Sequence, residues 1–526
     1  MQTSLLFRLA SYSSLILAAQ WISTPGAFAN QDAELAKEIE AALRDFHRDP
    51  VAAMNQRVPK RDASGAVIPA IESRFSIEQI ASGDYVVARD RTRKRMCMNV
   101  NGELHCLDAR EGEEGRPLSG IWGEDRVENL VDVPVRANTL EELETLGIQA
   151  AELSEQPWSD DYWAFYQGIL GVRYADPFFP ASENWAVNRN YVLRNSVNSI
   201  LNWGDQARID ELAPSEKYDL LVGDVNGALT AGMWQLGANY YYNRGFVETW
   251  MGICEGWSAA SFMYPRPSKV VSVLAANGRT RLNFYPSDIK ALGSLLWAYG
   301  KQSLRFVGGR CEESKPATDA NGRVVSQRCF DTNPGTWHLA ITHQLGIAKR
   351  SMVMDATYDY EVWNQPLFSY SYTYFNPQTG LNEENLKDAI IPLRSYTRDP
   401  FRYYRSSSAR SVVGIAMTVK YMVEVPPSHR KTDNPTRDRL RKVRYFYDLE
   451  LDSSGGIIGG EWYSNRHPDF LWVPVPGSRS RSNYDHLATG RWRSGDTLPW
   501  SWQNAARQAS QYQQPLGPIV DALMAR

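Results

Sequence analysis

The sequence predicts an α+β fold, in which helices and antiparallel strands share the core. Three patterns point to it. Leu35, Ile39, Leu43 and Phe46 recur at helical spacing within 31–49. Val443, Tyr445, Tyr447, Leu449 and Leu451 alternate with Arg444, Phe446, Asp448 and Glu450, the period of a half-buried strand. Asn101-Gly102 between short apolar runs is a two-residue hairpin signal. At 526 residues the chain has room for roughly three units of ~150 residues. Its formal charge of −3 offers no basic surplus for nucleic acid. A mean hydropathy of −0.43 excludes a multi-pass membrane protein.

The N-terminus reads as an export signal. Arg8 precedes an apolar run over 9–19 that is too short to span a bilayer, and Ala27-Phe28-Ala29 follows a Pro25-Gly26 break. The expectation is a signal peptide over 1–29 and a secreted or periplasmic protein with no integral membrane segment after its removal. No cysteine follows for lipid attachment. Downstream, 30–155 reads as an N-terminal region, either a pro-region or an accessory module. It contains the acidic, loop-rich stretch 111–116. The chemistry-bearing core is placed at 156–400, a β-rich extension at 401–475 and a polar tail at 476–526. In the extension, 411–425 reads as a strand, and a turn at 452–456 leads to another strand ending at Trp462.

Export makes five cysteines informative. A two-residue turn at Asn101-Gly102 sets Cys97 directly opposite Cys106, at a non-hydrogen-bonded pair where Cα atoms approach to ~4.5 Å. Cys311 and Cys329 bracket a polar stretch that a bridge would stabilise by ~3 kcal/mol. A metal site would need a second Cys or His at ligand spacing, and neither thiol has one. Asp319-Ala320-Asn321-Gly322 opens like a calcium loop but lacks the later carboxylates, so it reads as a turn. No cofactor is required by any motif.

Cys254 is left over, and an odd cysteine is buried and inert, paired between chains, or a nucleophile. Gly252 can release the chain into a helix from about 254 to 263, which Pro265 and Pro267 end. A thiol at a helix start gains from the dipole, and its own N–H is free to help bind an oxyanion. The adjacent Glu255 would raise the thiol pKa if it pointed inward; the expectation is that it points to solvent.

A base is sought among seven histidines. Residues 336–343 read as a strand, Gly346-Ile347 as a turn and 351–356 as the returning strand. That register sets His338 opposite Asp355, which could hold the imidazole tautomer. His343 has the opposite parity. His467-Pro468-Asp469 and Asp485-His486 read as surface or structural.

The order Cys, His, Asp, with the cysteine on a helix start, resembles the papain-like transglutaminase superfamily. The chain is similar, more narrowly, to the transglutaminase elicitor family of oomycetes and bacteria. The matching stretches begin with Glu216-Lys217-Tyr218-Asp219-Leu220-Leu221-Val222-Gly223-Asp224, Trp250-Met251-Gly252-Ile253-Cys254-Glu255-Gly256-Trp257 and Tyr264-Pro265-Arg266-Pro267. Trp337-His338-Leu339-Ala340, Met354-Asp355 and Val362-Trp363-Asn364-Gln365-Pro366 follow. The last are Ile458-Gly459-Gly460-Glu461-Trp462 and Pro468-Asp469-Phe470-Leu471-Trp472. Together they span roughly half the chain. Leu367-Phe368-Ser369-Tyr370 departs from the peptide that plants perceive in oomycete members, so plant recognition does not carry over.

The resemblance implies a papain-like transglutaminase core, with the nucleophile on a helix N-terminus packed on an antiparallel sheet and a C-terminal sheet extension. It implies protein-glutamine γ-glutamyltransferase activity with Cys254, His338 and Asp355 as triad. The thiolate would form a thioester with a glutamine side chain, and a lysine amine would resolve it. Trp250 and Trp234 are the candidates for an indole oxyanion donor. Partners would be proteins with accessible Gln and Lys. A cysteine peptidase, amidase or glutamine deamidase would use the same triad; a non-catalytic secreted adhesin or recognition module is the other class.

Overall fold

The computed structural model describes residues 25–55, 95–100, 103–108, 125–309, 316–326, 329, 331–356 and 362–526. The signal peptide (but for 25–29), the stretch 111–116 and Cys311 lie outside the described residues.

The N-terminal helix spans Pro25–Arg48, starting six residues before the helical pattern at 31. Ile39, Leu43 and Phe46 are buried and meet Met54, Phe375, Phe401 and Tyr463, so this helix covers part of a sheet. Strands β1 (Arg95–Val100) and β2 (Glu103–Asp108) pair antiparallel, and Cys97 faces Cys106.

Strand β3 (Ala150–Glu152) joins the main sheet, whereas β4 (Val271–Leu274) and β5 (Arg281–Phe284) form a separate hairpin. The main sheet continues with β6 (Leu304–Gly308), β7 (Val353–Asp355), β8 (Asn364–Phe375), β9 (Asn382–Glu383) and β10 (Ile391–Pro392). It is completed by β11 (Ser411–Val423), β12 (Arg439–Leu451), β13 (Ile457–Trp462) and β14 (Phe470–Pro474). Its order is β13-β12-β11-β8-β7-β14-β6, antiparallel throughout, with β3 and β9 on β8 and β10 on β11. The fold is mixed helix and sheet around a large antiparallel sheet. Alternation along 443–451 places Tyr445, Tyr447, Leu449 and Leu451 in the sheet core.

A second core is helical. It joins the helices Pro214–Val222, Ala228–Arg244 and Pro286–Tyr299 to the C-terminal helices Trp500–Ser510 and Gly517–Met524. The C-terminal stretch reads as polar because small residues do the packing: Ala505, Ala506 and Ala509 are fully buried, as are Leu516, Ile519 and Val520.

The stretch beginning Glu216-Lys217 is the crosslink of this core. Arg173 forks onto Glu216 at 2.7 and 2.9 Å, and Glu216 also accepts from Ala213 N. Lys217 Nζ reaches Asp288 at 2.7 Å, and both side chains are buried. The Tyr218 hydroxyl accepts from Leu516 N at 2.8 Å, tying in the C-terminal helices. Buried charges persist only when paired in this way.

One expected strand is a helix. His338 lies within Pro334–Ile341, which runs on into a wider turn over Thr342–Ile347. Pro334 sits in its first turn and Asn333 caps it by accepting from Gly335 N. Every residue from Pro334 to Ile341 is buried, and a segment that is apolar all round carries no period to separate helix from strand. The expected hairpin is therefore absent. The strand expected over 351–356 exists as β7, but it pairs with β8 and β14, and Asp355 faces Asn364 rather than His338.

Asp319 makes a turn. Its carboxylate accepts from the N–H of Asn321 and Arg323 and from the Tyr404 hydroxyl, and Gly322 has φ +82°.

Candidate active site

Cys254 opens the helix Cys254–Met263, whose start carries no side-chain cap. Backbone bonds fix that start. Ile253 N donates to Tyr162 O at 2.7 Å, Phe165 N to Met251 O at 2.9 Å, and the Tyr162 hydroxyl to Thr249 O at 2.7 Å. Inside the helix, a Cβ on Gly256 would drive into the Ser294 carbonyl, so only glycine lets this helix meet Pro286–Tyr299 backbone to backbone. Trp257 Nε1 donates to Trp158 O at 3.0 Å, clasping the other side. Tyr264 closes the last turn onto Ala260 O, and Pro265 follows.

The thiol is free and buried. It donates to Val362 O at 3.6 Å, and Asn364 Nδ2 donates to its sulfur at 3.6 Å. Asn364 is itself held by Trp472 Nε1, which donates to Oδ1 at 2.8 Å. Asn364 and Trp472 therefore form a chain of N–H groups ending on the nucleophile candidate. Both occur in stretches that carry the family resemblance, which was the only signal for them.

Electrostatics oppose the thiolate. Burial pushes the Cys254 thiol above its ordinary range, and the Glu255 carboxylate adds to this. Glu255 is half-buried, with its own pKa raised to about 7 by burial, so it does not point freely to solvent as expected. Desolvation here outweighs the gain from the helix start.

Asp355 accepts from Trp363 N at 2.9 Å and faces Asn364, the thiol's own partner, across the β7–β8 ladder. His338 is fully buried. Its Nδ1 meets the Tyr447 hydroxyl at 2.9 Å, its ring lies 4.7 Å from that of Tyr372, and its Nε2 makes no hydrogen bond. Burial depresses its pKa to about 3, keeping it neutral. No hydrogen bond joins its ring to Cys254 or Asp355.

The two indole candidates have these surroundings. Trp250 Nε1 donates to Glu248. Trp234 sits in the helical core against Gly168, Gly171 and Trp185. His343 is buried, with Nδ1 on Leu339 O at 2.9 Å. His467 stacks on Trp462 at 4.6 Å, and His486 is exposed. Among the described residues no cluster of three His, Cys, Asp or Glu could hold a metal ion.

No curated protein sequence matches the chain. Among solved structures, the crystal structure of the GP42 transglutaminase from Phytophthora sojae is similar at 19% identity and a TM-score of 0.44, covering 72% of this chain and 94% of that one. The family model described as "Transglutaminase elicitor" matches residues 126–484. That span includes both the sheet and the thiol's surroundings, and the chain belongs to the transglutaminase elicitor family.

Proposed function

We propose that this protein is an exported protein-glutamine γ-glutamyltransferase with a papain-like core, in which Cys254 attacks the side-chain carboxamide of a protein glutamine. The observation that carries the reading is the free thiol on the first residue of an uncapped helix, 3.6 Å from an amide nitrogen that Trp472 orients. Attack expels ammonia and leaves a thioester; a lysine amine then forms the isopeptide bond and restores the thiol. Asn364 Nδ2 supplies a donor to the oxyanion beside the sulfur, with the Cys254 N–H as the second. His338 and Asp355 complete the triad on the family pattern. A neutral imidazole with an uncommitted Nε2 has the protonation state of a base. The described arrangement is then a resting state, since the ring is bound to Tyr447 instead of the thiol. Disulfides Cys97–Cys106 and Cys311–Cys329 belong to the same exported reading; the facing register of Cys97 and Cys106 supports the first.

A non-catalytic recognition protein is the second reading. The buried, high-pKa thiol without a bonded imidazole favours it. The two separate when the full chain and Cys254→Ala are incubated with a glutamine-rich protein and a primary amine, with products read by mass spectrometry. Amine incorporation lost in the variant supports the transferase. Backbone cleavage points to a peptidase, deamidation alone to a deamidase, and an untouched substrate to the recognition protein.

A further inference from the structure

The hairpin of β11 and β12 is basic in a chain that is acidic overall. Residues 430–444 carry seven Lys or Arg and two Asp, against a formal charge of −3 for the whole. The connecting loop is pinned at several points. Val425 N donates to Asp160 O at 2.9 Å, Ser428 N to Ser287 Oγ at 3.0 Å, Asp433 N to Ser268 O at 3.0 Å and Arg439 N to Ser159 Oγ at 3.1 Å. Between this loop, the segment 159–160 and the helix Pro286–Tyr299 lies a cavity of about 320 Å³. That is the lower end of the ~300–1,000 Å³ typical of small-molecule sites. Its floor is polar: Ser159, Asp160, Ser287 and Lys290 are all buried. Arg430 and Arg439 are exposed at its rim, and Arg437 is half-buried there.

Both hairpin aspartates are already engaged. Arg266 Nη1 meets Asp433 and Asp438 at 3.0 Å each, and Lys290 Nζ meets Asp433 at 2.9 Å. Asp438 also accepts from Ser159 N at 2.9 Å and Gln156 Nε2 at 2.6 Å. Asp160 turns Oδ2 to Trp163 Nε1 at 2.9 Å and Ser294 Oγ at 3.3 Å. Burial raises its carboxyl to about 7, which weakens its opposition to an anion. Among the described residues no carboxylate pairs with Arg430, Arg437 or Arg439. Lys290 gives two of its three N–H groups to Ser159 O and Asp433, so one remains. Guanidinium forks without a carboxylate, carried on a pinned loop around a small polar cavity, suit an anion with several oxygens. We infer that this cavity binds a compact small-molecule polyanion carrying two or more phosphate or carboxylate groups, held by Arg430, Arg437 and Arg439 with Lys290 donating from the floor. Neither Val362 nor Asn364, the partners of Cys254, lines the cavity, so the inference stands apart from the transferase reading.

The test is isothermal titration calorimetry of the full chain with inorganic pyrophosphate and, separately, citrate, at physiological ionic strength, with acetate as the single-charge control. Saturable one-to-one binding of pyrophosphate, citrate or both is expected, with acetate roughly tenfold weaker or more. The tighter of the two probes identifies the ligand as phosphate or carboxylate. Joint substitution Arg430→Gln and Arg439→Gln, at two exposed positions, should weaken binding roughly tenfold or more, the value of one charge-assisted hydrogen bond. Joint substitution Arg491→Gln and Arg493→Gln removes the same charge from exposed positions outside the cavity lining and should leave affinity within about twofold. The bound probe should also raise Tm in the parent, and do so less at the same concentration in the Arg430 and Arg439 double variant. No saturable binding of either probe, acetate binding as tightly as both, or equal losses in the two double variants would overturn the site. A rise in Tm of the same size in the Arg430 and Arg439 double variant would do the same.

Discussion

The side-chain amide of Asn364 lies 3.6 Å from the Cys254 sulfur and is held there by the Trp472 indole at 2.8 Å. Two strands, β8 and β14, thus present one polarised N–H to the start of a helix more than a hundred residues earlier in the chain. Removing that donor separates chemistry from folding. Asn364→Ala is expected to lower kcat for amine incorporation by roughly 10²–10³. The orphaned Trp472 N–H should cost about 1–3 kcal/mol of stability, read from denaturant unfolding.

Burial holds the resting thiol back first, and the Glu255 carboxylate adds to it. Because that carboxylate raises the Cys254 pKa, Glu255→Gln should lower that pKa and increase the thiolate fraction at pH 7.5. Iodoacetamide labelling of the unreduced protein should be slower than for a free cysteine in the parent, and several-fold faster in the variant. Labelling slowed by the substitution would remove Glu255 from this role.

The stretch beginning Glu216-Lys217 is conspicuous in sequence, and its structure is that of a brace. Lys217→Met strands Asp288 without its cation in a buried setting and should cost about 3–5 kcal/mol. Adding Asp288→Leu should recover much of that loss in thermal unfolding. An undisturbed fold with lost chemistry in Lys217→Met would instead mark the pair as functional.

His467 gives a pH signature. Burial depresses its pKa to about 3, against an unfolded value of about 6.5. A depressed histidine contributes its stability above the unfolded pKa and loses it as pH falls from 6.5 toward 3, by about 1.4 kcal/mol per pH unit. Asp160, Asp161 and Glu424, raised to about 7, act oppositely, losing their contribution as pH rises from about 4 to 7. The readout is therefore the difference between His467→Gln and its parent. The variant should compare more favourably at pH 5 than at pH 8 in Tm.

Legibility followed locality. Alternation located β12, a proline pair ended the Cys254 helix, and Asn-Gly set the register of Cys97 against Cys106, because each depends on neighbours in sequence. The helix around His338 was misread as a strand because it is buried on every side, so its apolar run has no exposed face to set a period. Asn364 and Trp472 could be quoted as part of a pattern, but their approach to Cys254 is tertiary, arising only when β8, β7 and β14 assemble in order. The C-terminal helices were hidden by alanines, whose burial depends on the helical core they complete.

The central claim is covalent, and acid-quenched peptide mapping after incubation with a glutamine peptide tests it most directly. The account predicts an acyl adduct, formed with loss of ammonia, on the peptide containing Cys254, absent from Cys254→Ala and diminished in Asn364→Ala. Ammonia release or crosslinking that persists in Cys254→Ala, or no adduct on Cys254 under any acceptor condition, would contradict it.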